Sequence, residues 1–135
     1  MLPLTVTTVR LTLHVLAACV WVGGQVVLAG LVPTLRDLGD EAPRKVARAF
    51  GRIAWPAYAV LVVTGVWNLL EVEVGDRDTA YHVTLGVKLL VVAAAGVCAG
   101  IHATTRQRAV LAATGAIAGI TALLAVLLGV QLTFG

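Results

Sequence analysis

Long apolar runs, separated by short charged ones, organise this chain. Residues 11–35, 53–70, 79–105 and 109–135 are almost free of charge, Lys88 being the exception. A helix needs about 20 consecutive apolar residues to cross the hydrocarbon core of a bilayer. All four runs meet that need, the second only just. They predict membrane-spanning helices at about 11–35, 53–70, 80–104 and 109–133. Strand-type alternation is absent, which argues against a barrel. Backbone groups in lipid must be satisfied within the segment, so helices are the remaining answer. The expected fold is all-α: an integral membrane four-helix bundle in a single transmembrane domain, residues 1–135, with both termini on the same side.

Composition agrees with this pattern. Of 135 residues, 59% are hydrophobic and 13% charged, and the mean hydropathy is +0.95. A soluble domain is about half apolar and about a quarter charged, and one of this size could not bury so much apolar surface. Disorder, collagen and an ordinary cytosolic enzyme are excluded. The first run is too long for the h-region of a signal peptide, and no A-x-A site closes it; it is expected to stay in the mature protein. Cys19 and Cys98 lie within apolar runs and read as small core residues, not as a disulfide framework.

The net charge of +3 and pI near 9.3 would suggest nucleic acid in a soluble chain. Here they report orientation. Residues 36–52 carry five basic residues against three acids, residues 106–108 carry two basic residues, and residues 71–78 carry one against four acids. By the positive-inside rule the first and third connections face the cytoplasm. Both termini and the acidic second connection then lie outside the plasma membrane. Residues 43–52 predict a short amphipathic cytoplasmic connector. Pro43 suits a first turn, and Arg44, Arg48 and Arg52 recur every four residues. Such a helix either attaches to anionic headgroups or simply supplies positive-inside charge. Gly96/Gly100 and Gly115/Gly119 have the G-x-x-x-G spacing that lets helices approach closely, which leaves a homodimer open.

The informative residues are the polar ones inside the spans, because they are costly there and usually face a bundle interior or a bound group. Arg10, His14, Trp21 and Gln25 share one helical face. Thr84, Lys88 and His102 share another, and His82 begins that span. With the outer boundary near Arg10 and His82, His14 lies ~6 Å deep and Lys88 ~9 Å, while His102 is ~30 Å from His82. The histidines therefore do not form a compact three-ligand cluster, which weakens a closed zinc or copper site. An outer site of His14 and Lys88, with or without His82, remains open. Neutral imidazole suits haem iron; Arg10 and Lys88 suit haem propionates or another anion. Alternatively Lys88 acts as a base, since desolvation favours the neutral amine, or snorkels to the surface. The plain alternatives are a His14 hydrogen-bonded to a neighbouring helix and a His102 among headgroups.

Residues 14–36, HVLAACVWVGGQVVLAGLVPTLR, resemble the first helix of CopD-type membrane domains, in which a His-containing start precedes W-x-G-G and an apolar run ending in Pro and Arg. Residues 48–70, RAFGRIAWPAYAVLVVTGVWNLL, resemble the next segment of that family, including Thr64-Gly65. The spacing from Lys88 to His102 is similar to that of the HemJ type of protoporphyrinogen oxidase, a small four-helix membrane protein. The resemblance covers roughly residues 10–105; the last span has no distinctive match. It implies haem b and oxidation of a porphyrinogen, with the family's membrane His and Lys mapped onto His14 and Lys88 and with His102 as a further matching position. The CopD side implies copper uptake or resistance.

The expected function is thus a membrane b-type haem protein performing electron transfer or porphyrinogen oxidation. His14 would ligate haem b, with Arg10, Lys88 and His102 in the cofactor site and Lys88 as the catalytic candidate. A tetrapyrrole or a quinone is the expected partner, and no nucleic acid. One alternative is a copper-handling protein using His14 and His82, although sparse Met and separated Cys argue against a cuprous pathway. The other is a cofactor-free accessory membrane subunit.

Overall fold

The computed structural model describes residues 4–134, apart from the side chain of Val74. The described residues form four long helices: α1 (Val6–Asp37), α2 (Ala42–Glu71), α3 (Thr79–Thr104) and α4 (Arg108–Phe134), with no strand among them. A short 3-10 turn, Val74–Asp76, precedes α3. All four helices are long and apolar enough to cross a membrane, so this is an all-α, multi-pass membrane protein. The chain divides into two compact units, Met1–Glu73 and Val74–Gly135, and each is an antiparallel helical hairpin.

Local chemistry sets the helix ends. The Thr5 hydroxyl accepts from the Thr8 backbone N–H (3.1 Å), and Asp78 accepts from the Tyr81 N–H (2.8 Å); both are N-caps. Gly39 has φ +119°, a backbone that side chains disfavour. Its N–H bonds back to the Arg36 carbonyl at 3.1 Å, which turns the chain between α1 and α2. Pro43 stands in the first turn of α2, where its missing N–H costs nothing.

The first two helices are longer than their apolar runs, while α3 and α4 match theirs to within a residue. The largest difference is in α2, which runs unbroken for 30 residues. Residues 43–52 are thus not a separate connector: no helix break stands between them and the span that follows. Helix propagation adds one backbone bond per residue, and neither Gly51 nor Pro56 interrupts it.

In the first hairpin, α1 contains a π-helical turn at Cys19–Gly23. Such a turn displaces the i→i−4 ladder. The Gln25 side-chain amide donates to the Trp21 carbonyl at 2.9 Å. Trp21 is buried there among aromatic rings, 5.7 Å from Trp55 and 4.6 Å from Tyr58. Small residues Ala17 and Ala54 let the helices close up elsewhere, and the Phe50 ring occupies the space that a side chain at Gly24 would need. The second hairpin packs through Ala95, Gly96, Thr114, Ala118 and Ala122, all buried. Close packing of small side chains is what drives helix association in lipid, since no hydrophobic gain separates protein from acyl chains. Val63, Leu90 and Val97 face outward with more than half their surface exposed, as the lipid-facing sides of spans should. Threonines in the spans hide their hydroxyls by donating one turn back, as Thr84 does to Ala80 and Thr121 to Ile117.

Candidate functional site

Each hairpin contains one histidine set against a Thr-Gly pair. In the first, His14 Nδ1 lies 2.7 Å from Thr64 Oγ1. Thr64 Oγ1 also lies 2.6 Å from the Val60 carbonyl, which can only accept. The hydroxyl has a single proton, and that contact takes it. His14 therefore donates from Nδ1, and the ring's lone pair is on Nε2. Gly65 sits beneath the ring, with His14 Cε1 3.6 Å from where a Cβ would stand.

The second hairpin repeats the arrangement with different spacing. His102 Nδ1 donates to the Leu111 carbonyl at 2.9 Å, with Thr114 Oγ1 at 3.5 Å. Thr114 is buried and donates to the Val110 carbonyl at 2.6 Å. A Cβ on Gly115 would lie 2.9 Å from Cε1 and 3.1 Å from Nδ1 of His102. The absence of that side chain is what lets the ring reach the Leu111 carbonyl. His102 is thus a bond between α3 and α4 in the last turn of α3.

Arg10, one turn before His14 on the same face, is buried, with 6% of its surface exposed. Its Nη1 lies 3.6 Å from Glu71 Oε1, and its guanidinium stands over the Trp67 ring at 5.8 Å. Trp67 Nε1 donates to the same carboxylate oxygen at 3.1 Å. The Glu71 carboxylate thus ends α2 as the partner of a cation in α1, a role that its place in an acidic connection did not reveal. Arg10 Nε and Asn68 Oδ1 are buried without a hydrogen-bond partner among the described residues. Buried polar atoms of this kind usually have a water or bound group near them.

Lys88 is half-buried on α3. Its chain crosses to α4, where Nζ lies 3.1 Å from the position of a Cβ on Gly129. Lys88/Gly129 and His102/Gly115 follow one antiparallel register. His82 is exposed in the first turn of α3, donates from Nδ1 to the Asp78 carbonyl at 2.8 Å, and stands edge-on to Tyr81; its contacts are local. His14 and Arg10 thus belong to the first hairpin, and Lys88, His82 and His102 to the second. Among the described residues no three His, Cys, Asp or Glu side chains are grouped to hold a metal ion. Cys19 is exposed and Cys98 half-buried, both as free thiols.

Sequence reasoning found the histidines, Arg10 and Lys88, because each is polar within or at the edge of an apolar run. It missed Thr114 as a partner and Glu71 as a counter-ion. The usable signal was the Thr-Gly dipeptide, which stands opposite a histidine twice. Comparison with protein-family models, with curated proteins and with solved structures gives no match to this chain.

Proposed function

We propose that this chain is a small membrane haem protein of the CopD/HemJ type, with His14 as an axial ligand of haem b. The observation that supports this reading most directly is the His14–Thr64–Val60 chain of hydrogen bonds. Histidines that bind metals almost always donate their other ring N–H to a fixed acceptor, which sets the tautomer and ring direction. His14 is held in that way in a low-dielectric hairpin.

When bound, haem would supply one-electron chemistry at the iron, for electron exchange with a quinone or oxidation of a porphyrinogen. The residues of the chain supply the rest. Thr64 orients His14 and keeps Nδ1 protonated. Arg10, one turn away, presents positive charge suited to a propionate, with Trp67 and Glu71 holding the guanidinium in place. Within the second hairpin, Lys88 is a cation suited to a carboxylate or a proton acceptor for a substrate, and His102 is an imidazole whose Nδ1 is likewise fixed. The reading places the protein in the plasma membrane with its termini outside, following the charge of the connections.

Absorption spectra of the purified protein, expressed with haem supplied, test the reading. A Soret band and a sharp reduced α band at stoichiometric haem, both lost in His14→Ala, are the expected result. A well-folded sample without haem overturns it; bound copper in that sample would favour metal handling, and neither cofactor an accessory subunit.

A further inference from the structure

The first half-turns of α2 carry a feature the haem reading does not use. A helix of 30 residues is ~45 Å long, while the hydrocarbon core is ~30 Å thick and the bilayer with its headgroups ~40–45 Å. The apolar part of α2 begins at Ile53. Residues 42–52 therefore continue the span upright into the headgroup layer, with Arg52 at its inner edge and Arg44 ~12 Å further out.

The faces of this extension are sharply divided. Val46, Ala47, Phe50 and Gly51 are half-buried and Ala54 is buried, whereas Arg44, Lys45, Arg48, Ala49, Arg52 and Ile53 are exposed. Phe50 seats on Gly24 of α1, which fixes the rotation of the extension. Arg44 pairs with Glu41 at 3.6 Å; no carboxylate pairs with Lys45, Arg48 or Arg52 among the described residues. Below the cations the same face continues as exposed apolar side chains, Pro56, Ala59 and Val63 (64% exposed).

We infer that this face is a binding surface for an anionic phospholipid, whose phosphate sits between Arg48 and Arg52 while its acyl chains lie along Pro56, Ala59 and Val63. The arrangement matches a lipid at both ends. Cations stand at phosphate depth, and an apolar track of matching direction begins immediately beneath. A free phosphate would use only the first part. A zwitterionic lipid would bring its own cation against four others, so the surface selects a headgroup with net negative charge.

Quenching of tryptophan fluorescence by brominated lipids tests this in the full-length protein. Trp55 is 40% exposed three residues below Arg52, Trp21 is shielded at 5%, and Trp67→Phe removes the signal from the far end of α2. In bilayers mixing brominated phosphatidylglycerol with phosphatidylcholine, phosphatidylglycerol should be preferred at Trp55 by about five-fold per arginine, equivalent to ~1 kcal/mol for a cation at the surface. The preference should vanish in Arg48→Gln/Arg52→Gln, persist in Arg48→Lys/Arg52→Lys, and weaken with added salt. Equal affinity for the two lipids in the parent chain overturns the inference without requiring any variant to fold. So does an unchanged preference in the glutamine variant, or its abolition by inorganic phosphate in excess, which would show that the cations read phosphate alone.

Discussion

His14 and His102 differ in how tightly the residue beneath them fits, and substitutions should report it. The space above Gly65 accepts a methyl at ordinary contact distance, 3.6 Å from His14 Cε1. Gly65→Ala should therefore be near neutral, with helix propensity slightly in its favour. Above Gly115 the methyl would meet the His102 ring at 2.9 and 3.1 Å, and the ring is tied by Nδ1 to Leu111. Gly115→Ala should destabilise the second hairpin by ~1–3 kcal/mol, read as unfolding in mixed micelles, and His102→Ala should remove most of the difference between the two alanine variants. Thr64→Val should cost about 1 kcal/mol, the size of interhelical hydrogen bonds in membranes, because it leaves His14 Nδ1–H without its acceptor. Thr64→Ser should keep the bond and the stability. Under the haem reading Thr64→Val also alters the reduced-minus-oxidised spectrum or the haem affinity, since the ring loses its orienting bond; a purely structural Thr64 would leave both unchanged. Of this chemistry the histidines were legible in the sequence, since an imidazole in an apolar run is conspicuous. Their partners were not. Threonines are frequent in these spans, and only the antiparallel register decides which of them, or which backbone carbonyl, meets a ring.

At the scale of the helix, hydrophobic runs bounded by charge located all four elements, because removing a charge from water into lipid costs more than any local propensity. The ends of α1 and α2 were less legible, for two physical reasons, while those of α3 and α4 fall within a residue of expectation. Backbone bonding continues past the last apolar residue, so α2 absorbs the charged stretch from Ala42 onward. A π-helical turn adds no distinctive composition, so Cys19–Gly23 is invisible in a uniformly apolar run. That turn and the extension of α2 meet where Phe50 fills the place of a Gly24 side chain. Gly24→Ala should thus displace the Phe50 ring and loosen the extension from α1, at a cost of ~1–3 kcal/mol typical of overpacking. Protease cleavage near Lys45 in detergent should accelerate. Combining Gly24→Ala with Phe50→Ala returns space for the methyl; if cleavage and stability of the double variant are no better than additive, Phe50 is not the obstacle.

For the whole molecule, charge rather than packing decides direction, because four apolar helices of similar length have no other asymmetry strong enough to orient them. The two ends of α2 carry the largest contrast. Residues 36–52 hold five basic side chains and residues 71–78 only one, and Lys and Arg near the span ends dominate insertion, while acids count for little. Glu71 is removed further from that balance by its pairing with Arg10. The end near Asp40 should therefore be cytoplasmic and the end near Glu73 external. Both residues are exposed, so single cysteines placed there, in a chain with Cys19→Ala and Cys98→Ala, can report sidedness with a thiol reagent that does not cross membranes. Glu73→Cys should label in intact cells, and Asp40→Cys only after permeabilisation. The reverse pattern rejects the orientation. Replacing Lys45, Arg48 and Arg52 by Gln should then make both positions partly accessible in intact cells, since the remaining basic residues at 36 and 44 no longer outweigh the rest so strongly. If accessibility stays unchanged after that replacement, the orientation is fixed by the 106–108 connection, and the cations on α2 are left for the lipid surface alone.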